Sequence, residues 1–144
     1  MNKIEIRQAR GEKELPAVLR VRKKVFTKGQ KVPRELDLDG LDKGAEHIVV
    51  LDGRKPIGCA RIRYSGDAAR LERIAILEEF RGKGIGKQLT EFLISHCRAH
   101  GAKEIIIHAQ SYLEEFYRSF GFERAGAPFF EVGIEHVEMR KKLV

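Results

Sequence analysis

Leu71-Glu72-Arg73-Ile74-Ala75-Ile76-Leu77-Glu78-Glu79-Phe80-Arg81-Gly82-Lys83-Gly84-Ile85-Gly86-Lys87 is the stretch on which the reading of this chain turns. Leu71 to Ile76 reads as a strand, and it runs into a glycine-rich turn that opens an amphipathic helix. The helix shows in Ile85, Leu89, Phe92, Leu93, His96 and Cys97, whose steps of 4, 3, 1, 3 and 1 keep one face apolar. Gly101 then supplies a C-terminal stop. Glycines let the backbone approach a ligand closely, and the first N–H groups of a helix point outward at its positive end. Such a turn suits a phosphate or pyrophosphate, with Lys83 and Lys87 adding charge.

Spacing excludes two common phosphate ligands. A nucleoside-triphosphate loop needs G-x-x-x-x-G-K-[ST], but Arg81 stands where the first glycine belongs and Gln88 follows Lys87. A dinucleotide fingerprint starting at Gly82 needs a third glycine at position 87, which is Lys87. The remaining alternative to a phosphate site is a turn whose glycines only satisfy backbone geometry.

Upstream, Ile4 and Ile6 alternate as in a short strand, and Leu15, Val18, Leu19, Val25 and Phe26 fall near helical spacing, with Pro16 expected in the first turn. Thr27 to Lys43 has no clear period and reads as a substrate-facing loop. His47–Leu51, Pro56–Tyr64 and Leu71–Ile76 read as an antiparallel meander, with Asp52-Gly53 and Ser65-Gly66-Asp67 as its turns. Downstream, Ile105-Ile106-Ile107 reads as a strand buried on both faces. Leu113, Phe116, Tyr117 and Phe120 form a second helical stripe closed by Gly121, and strand-like pieces follow near Phe129–Val132 and His136–Leu143. The expected order is β-α-β-β-β-α-β-α-β-β, an α+β domain with a central mixed sheet.

At 144 residues, 42% hydrophobic and 34% charged, the chain is expected to be one globular domain over residues 1–144. No apolar run approaches the ~18 residues of a membrane span, and Met1-Asn2-Lys3-Ile4-Glu5 has no signal-peptide core, so a cytoplasmic location is expected. The 2 cysteines, Cys59 and Cys97, make neither a disulfide framework nor a zinc site by themselves, and no metal is expected. The net charge of +7 is uneven: residues 1–34 carry a balance of +8 and residues 35–52 one of −5. The basic cluster Arg20, Arg22, Lys23, Lys24 has only Phe26 nearby among aromatics. A solvated helix face or a phosphorylated cofactor is therefore expected there rather than a nucleic acid.

Arg81-Gly82-Lys83-Gly84-Ile85-Gly86 matches R/Q-x-x-G-x-G/A, the acyl-CoA pyrophosphate signature of the GNAT superfamily of N-acetyltransferases, and the chain resembles that superfamily more widely. Phe116-Tyr117-Arg118-Ser119-Phe120-Gly121-Phe122 is similar to its F-Y-x-x-x-G-F segment. Arg22-Lys23-Lys24-Val25-Phe26 with Gln30, and Phe130 to Met139, are similar to its YjcF- and ElaA-like subgroup. The resemblance implies a mostly antiparallel sheet flanked by helices and split between its fourth and fifth strands. It also implies transfer of an acetyl group from acetyl-CoA to the primary amine of a small molecule by direct attack.

Carried over by position, the resemblance puts the backbone of Ile74, Ala75 and Ile76 along the pantetheine and thioester, and Arg81, Gly82, Lys83, Gly84, Ile85, Gly86 and Lys87 around the pyrophosphate. Tyr117 takes the place of the general acid; from spacing alone, on the stripe with Leu113, Phe116 and Phe120, it reads as a core tyrosine with a satisfied hydroxyl. Glu72 shares strand parity with Ile74 and Ile76 and is a candidate base, as are His47, His108 and His136. Gln110 and Ser111 would bond the pantetheine amides or cap the next helix. Cys97 reads as core. The acceptor site would draw on Arg22, Phe26, Gln30, His47 and His136, with Asp37, Asp39 and Asp42 nearby: acidic residues suit a cationic amine, Arg22 a carboxylate or phosphate. Rival readings are a CoA-binding regulatory module, an acetyltransferase of protein N-termini or lysines, and a polyanion-binding protein. A homodimer is compatible with the resemblance.

Overall fold

The computed structural model describes residues 3–34 and 38–144; Met1, Asn2 and Asp37, invoked above, lie outside them. A strand (β1, Ile4–Gln8) leads into a helix (α1, Gly11–Arg22) that continues as a π-helical segment over Lys23–Gly29. A meander follows (β2, Glu46–Asp52; β3, Lys55–Ser65; β4, Ala68–Ile76), then a 3₁₀ turn at Glu78–Phe80 and a long helix (α2, Ile85–Ala99). Next come β5 (Glu104–Gln110), a short helix (α3, Glu114–Arg118) and three last strands (β6, Glu123–Arg124; β7, Phe129–Glu131; β8, Ile134–Lys142). The sheet order is β1-β2-β3-β4-β5-β8-β6, with β7 also on β8, and every pairing is antiparallel except β4 with β5. The architecture is the α+β mixed sheet expected from the element order. Among the described residues no helix is long and apolar enough to cross a membrane.

Two features open the sheet. β4 and β5 pair only over Ala68–Leu71 and Glu104–Ile107; beyond that the two strands share no ladder. At the same point β4 carries a bulge: Arg61 faces Glu72 while Cys59 faces Ala75, so three steps on β4 oppose two on β3. Arg73, with φ of 52°, absorbs the extra residue in a left-handed conformation. The bulge re-aims the end of β4, and a wedge forms between Glu72–Ile76 and His108–Gln110. Gly58 lets β4 lie close, because a Cβ there would meet the Ile76 side chain at 2.7 Å.

The sheet separates two layers. Arg61 and its cross-strand partner His47 turn toward α1, where Arg61 shares Asp42 with Arg22. Glu46 and Tyr64 turn to the other face, where His96 of α2 reaches Glu46. Val18, Val21 and Val25 from the α1 side, and Ile85, Leu89, Leu93 and Cys97 from α2, are buried against the strands. Such burial, about 25 cal/mol per Å² of apolar surface, is the main force holding the layers together.

Some local expectations are corrected. The first helix begins at Gly11, so Pro16 lies inside it rather than in its first turn, and one rung of the ladder goes unmade. The helix also runs on past Thr27 to Gly29, which shortens the loop expected from Thr27 to Lys43. Val132 is not in a strand: with Gly133 it forms the two-residue turn between β7 and β8, both at positive φ. The two-residue β6 carries too little pattern to be seen in sequence.

Candidate active site

The turn before α2 is built to leave N–H groups open. Gly82 and Gly84 have φ of 75° and 81°, and a Cβ on either would meet nothing within 4 Å. It is backbone conformation, not space, that requires glycine there. Gly84 is the N-cap residue of α2, and its carbonyl accepts from the Gln88 N–H. Among the described residues no acceptor meets the N–H groups from Gly82 to Lys87. Gly86 has an ordinary φ and lies 3.8 Å, from its virtual Cβ, to the Phe116 ring. Arg81 Nε donates to the Ile76 carbonyl at 3.0 Å, tying the turn to the end of β4. Lys83 and Lys87 are exposed, with the Lys83 ammonium 5.8 Å from the Phe80 ring centre. Ile85 is buried and anchors the helix start.

The turn borders a cavity of about 620 Å³ lined by Lys24, Val25, Gly29, Gln30, Leu77, Glu78, Glu79 and Arg81. The π-helical segment, with Phe26 packed on the core, forms its other wall. Gln30 reaches across to Gln110 at the end of β5, the two amides exchanging hydrogen bonds of 3.1 and 3.0 Å. Two hydroxyls, Thr27 Oγ1 and Ser111 Oγ, are buried without a partner. Ile74 and Ile76 are half-buried and Ala75 is buried along the β4 side of the wedge.

Tyr117 sits on α3, 5% exposed, edge-on to Phe116 and Phe122. Its ring therefore belongs to the core, but its hydroxyl has no hydrogen bond among the described residues. Burial, helped by Tyr112, pushes its ionisation well above the ordinary phenol range, so it stays protonated throughout physiological pH.

The charged residues expected at the acceptor side meet one another. Arg61, 1% exposed, holds Asp39 with two bonds of 2.8 Å and also reaches Asp42 at 3.1 Å and Glu72 at 3.1 Å. Arg22, fully buried, donates to Asp42 at 2.6 Å, and Arg73 reaches Asp39 at 3.1 Å. Arg63 grips Glu72 with bonds of 2.6 and 2.8 Å. Burial raises the Glu72 and Asp42 carboxyls, but the arginine bonds and charges outweigh it and hold both below their ordinary values. Asp39 is held lower still, first by its bond to Arg61. Neither Arg22 nor the carboxylates present an uncompensated charge to an acceptor. The parity argument for Glu72 also fails. The bulge puts Glu72 on the face of Ala75, not of Ile76, because Arg61 and Cys59 are two residues apart on β3.

The histidines divide. His47 donates from Nε2 to the Asp42 carbonyl at 2.9 Å, leaving Nδ1 buried and unpartnered. His136, cross-strand partner of Gln110, has Nδ1 2.7 Å from the Ile134 carbonyl. A carbonyl only accepts, so Nδ1 carries the proton and Nε2 of the neutral ring is the basic nitrogen. The nearest carboxylate oxygen, from Glu131, is 4.0 Å from it. His108 lies between Glu131 and Glu138, 3.2 Å from each. Cys97 is core as expected, its thiol pushed up to about 11 mainly by burial. Sequence reading missed Arg61 and Arg63 as the organisers of the cluster; their alternation opposite Glu72 across a hairpin was the available signal.

Comparison with known proteins agrees with this geometry. The acetyltransferase (GNAT) domain model matches residues 10–143. The uncharacterized N-acetyltransferase YjcF of Bacillus subtilis (strain 168) is 37% identical over 134 residues, 92% of this chain and 96% of that protein. The crystal structure of Escherichia coli ElaA superposes with a TM-score of 0.86 at 29% identity, covering 97% of this chain and 100% of that one. A GNAT family acetyltransferase from Elizabethkingia anophelis, solved with acetyl-CoA bound, shares the fold at a TM-score of 0.78 and 18% identity, covering 99% of this chain and 100% of that one.

Proposed function

The chain belongs to the GNAT acetyltransferase family and is an acetyltransferase, and from that premise we propose that it moves an acetyl group from acetyl-CoA to the primary amine of a small molecule by direct attack. The observation that carries this reading is the run of N–H groups from Gly82 to Lys87, without an acceptor among the described residues, beside the strand split. Those N–H groups, at the positive end of α2 with Lys83 and Lys87 beside them, suit a pyrophosphate. Ser111 Oγ, buried and unpartnered just past β5, suits an amide of a pantetheine arm lying in the wedge, and Gln110 would exchange Gln30 for that arm. The open edge of β4 from Ile74 to Ile76 offers backbone donors to a thioester carbonyl, where negative charge develops as the amine adds. A protein of the same fold holds acetyl-CoA, in keeping with this assignment.

The remaining steps use two side chains. His136 Nε2 takes the proton of the attacking amine, a part for which Glu72 is unsuited because its two arginine partners make it a poor base. The amine nitrogen forms the new bond to the acyl carbon, the carbon–sulfur bond breaks, and Tyr117 gives its hydroxyl proton to the departing thiolate. Glu72 is then a positioning residue, holding Arg61 and Arg63 beneath the site.

Thiol release from acetyl-CoA, followed across a panel of small primary amines, tests the reading. Amine-dependent release that falls about a hundredfold or more in Tyr117→Phe and His136→Gln is the expected result. Acetyl-CoA binding without release for any amine would instead make the chain a CoA-binding module.

A further inference from the structure

Away from the wedge, on the opposite face of the sheet, the last turn of α2 meets the start of β2. His96 and His100 are four residues apart and share one face of the helix. Both turn Nε2 toward Glu46: His96 Nε2 lies 3.0 Å from Oε1 and His100 Nε2 lies 3.5 Å from Oε2. The three donor atoms all lie within 4.8 Å of one another. Two of the three ligands are also held from behind by hydrogen bonds, and the third by ring stacking. Tyr64 donates its hydroxyl to Glu46 Oε1 at 2.8 Å, and the two imidazoles stack with centres 4.2 Å apart. His100 Nδ1 lies 2.9 Å from the His96 carbonyl.

That last contact creates an electrostatic demand. A carbonyl only accepts, so Nδ1 of His100 carries the hydrogen, and in the neutral ring Nε2 presents a bare lone pair. It faces a carboxylate oxygen, also an acceptor. Two acceptor lone pairs 3.5 Å apart are placed to share a metal ion between them. For His100 and Glu46 the surroundings match what metal sites use: the other ring nitrogen of His100 tied to a backbone carbonyl, the carboxylate itself hydrogen-bonded. Ligands at tetrahedral zinc, about 2.0–2.1 Å from the ion, sit roughly 3.3 Å apart, close to the two Nε2–carboxylate separations here.

We propose that Glu46, His96 and His100 form a transition-metal site of the zinc class that clamps the end of α2 to β2. Two imidazoles and one carboxylate favour zinc, cobalt, nickel or copper over magnesium and calcium, which take all-oxygen sets. α2 is 15 residues long, so the site stands about 20 Å from the glycine turn and acts on the fold rather than on the reaction. It departs from the metal-free expectation drawn from the cysteines. The pair of histidines is visible in sequence, but Glu46 joins them only through the fold.

Zinc chloride titrated calorimetrically into protein freed of metal by chelation and dialysis, with magnesium chloride in parallel, tests the site. Saturable 1:1 binding of zinc at micromolar affinity or tighter is expected, with a rise in Tm of about 5 °C at a hundredfold excess over Kd and no effect of magnesium. His100→Ala, at a half-exposed position, and Glu46→Gln should each weaken zinc binding at least about tenfold. His108→Ala, in the other histidine–carboxylate group, should leave it unchanged. Absent saturation, equal binding of magnesium, unchanged affinity in both His100→Ala and Glu46→Gln, or loss in His108→Ala would each overturn the proposal and leave the cluster an ion pair.

Discussion

The glycine turn before α2 and the arginine–carboxylate cluster under α1 are both dense in charge and polar groups, yet they are opposite in how those groups are satisfied. In the cluster every carboxylate meets an arginine: Asp39, Asp42 and Glu72 are gripped by Arg22, Arg61, Arg63 and Arg73 at 2.6–3.1 Å. In the turn the N–H groups from Gly82 to Lys87 face outward with no protein acceptor among the described residues. Polar groups that close on one another build scaffold; those left open at a helix start are free to meet water or a ligand. Charge alone would have ranked the two alike, and satisfaction separates them.

The largest expected effect breaks the closed region. Arg61→Ala removes the hub of the cluster and leaves Asp39, Asp42 and Glu72 with one arginine partner each around a void, which should cost about 2–4 kcal/mol in a urea titration. A loss under about 1 kcal/mol would show that the cluster is not structural. The same region sets the acid limit. Because Asp39, Asp42 and Glu72 ionise below their ordinary values in the folded chain, their contribution is full above about pH 4–5 and is lost as pH falls through the folded values. Tm measured from pH 6 down to 2 should therefore fall steeply below about pH 4, and less steeply in Arg61→Ala.

Next is Tyr117→Phe, which should lower kcat about 10²–10⁴-fold while leaving acetyl-CoA affinity unchanged; an equal loss of both would return Tyr117 to a purely packing role. The open region divides its own glycines more finely. Gly84→Ala, at φ of 81°, should cost about 1–2 kcal/mol of stability and weaken CoA binding, since the new residue resists the left-handed conformation that aims the N–H groups. Gly86→Ala, with ordinary φ and room to the Phe116 ring, should change stability by less than about 1 kcal/mol. Equal effects at the two positions would break the argument from conformation. Smallest are Lys83→Ala and Lys87→Ala, exposed charges worth roughly threefold each in CoA affinity at low salt and less as salt rises.

What could be read from sequence and what could not follows the same division. The turn was legible because its information is local: glycines at set spacing, a strand before, an amphipathic helix after. The meander and α2 were legible for the same reason, through hairpin residues and helical steps. Glu72 was misplaced because the bulge that reverses its face is made by Arg73, a non-glycine residue at positive φ that carries no sequence mark. Arg22, Asp39 and Asp42 meet in one cluster whose hub is Arg61, contributed by another element and unmarked in the local sequence. The Gln30–Gln110 bond joins residues 80 apart, and no local pattern announces it. The extra helical turns to Gly29 were hidden by the lysine-rich, weakly periodic stretch that forms them.

The most direct test of the central claim is calorimetric titration of acetyl-CoA, CoA, ATP and NAD into the protein at one fixed salt concentration. Selective micromolar binding of acetyl-CoA and CoA, weakened in Gly84→Ala but not in Tyr117→Phe, is the outcome this account expects. No binding of acetyl-CoA, or ATP binding equally well, would contradict it and leave the turn as a structural bend.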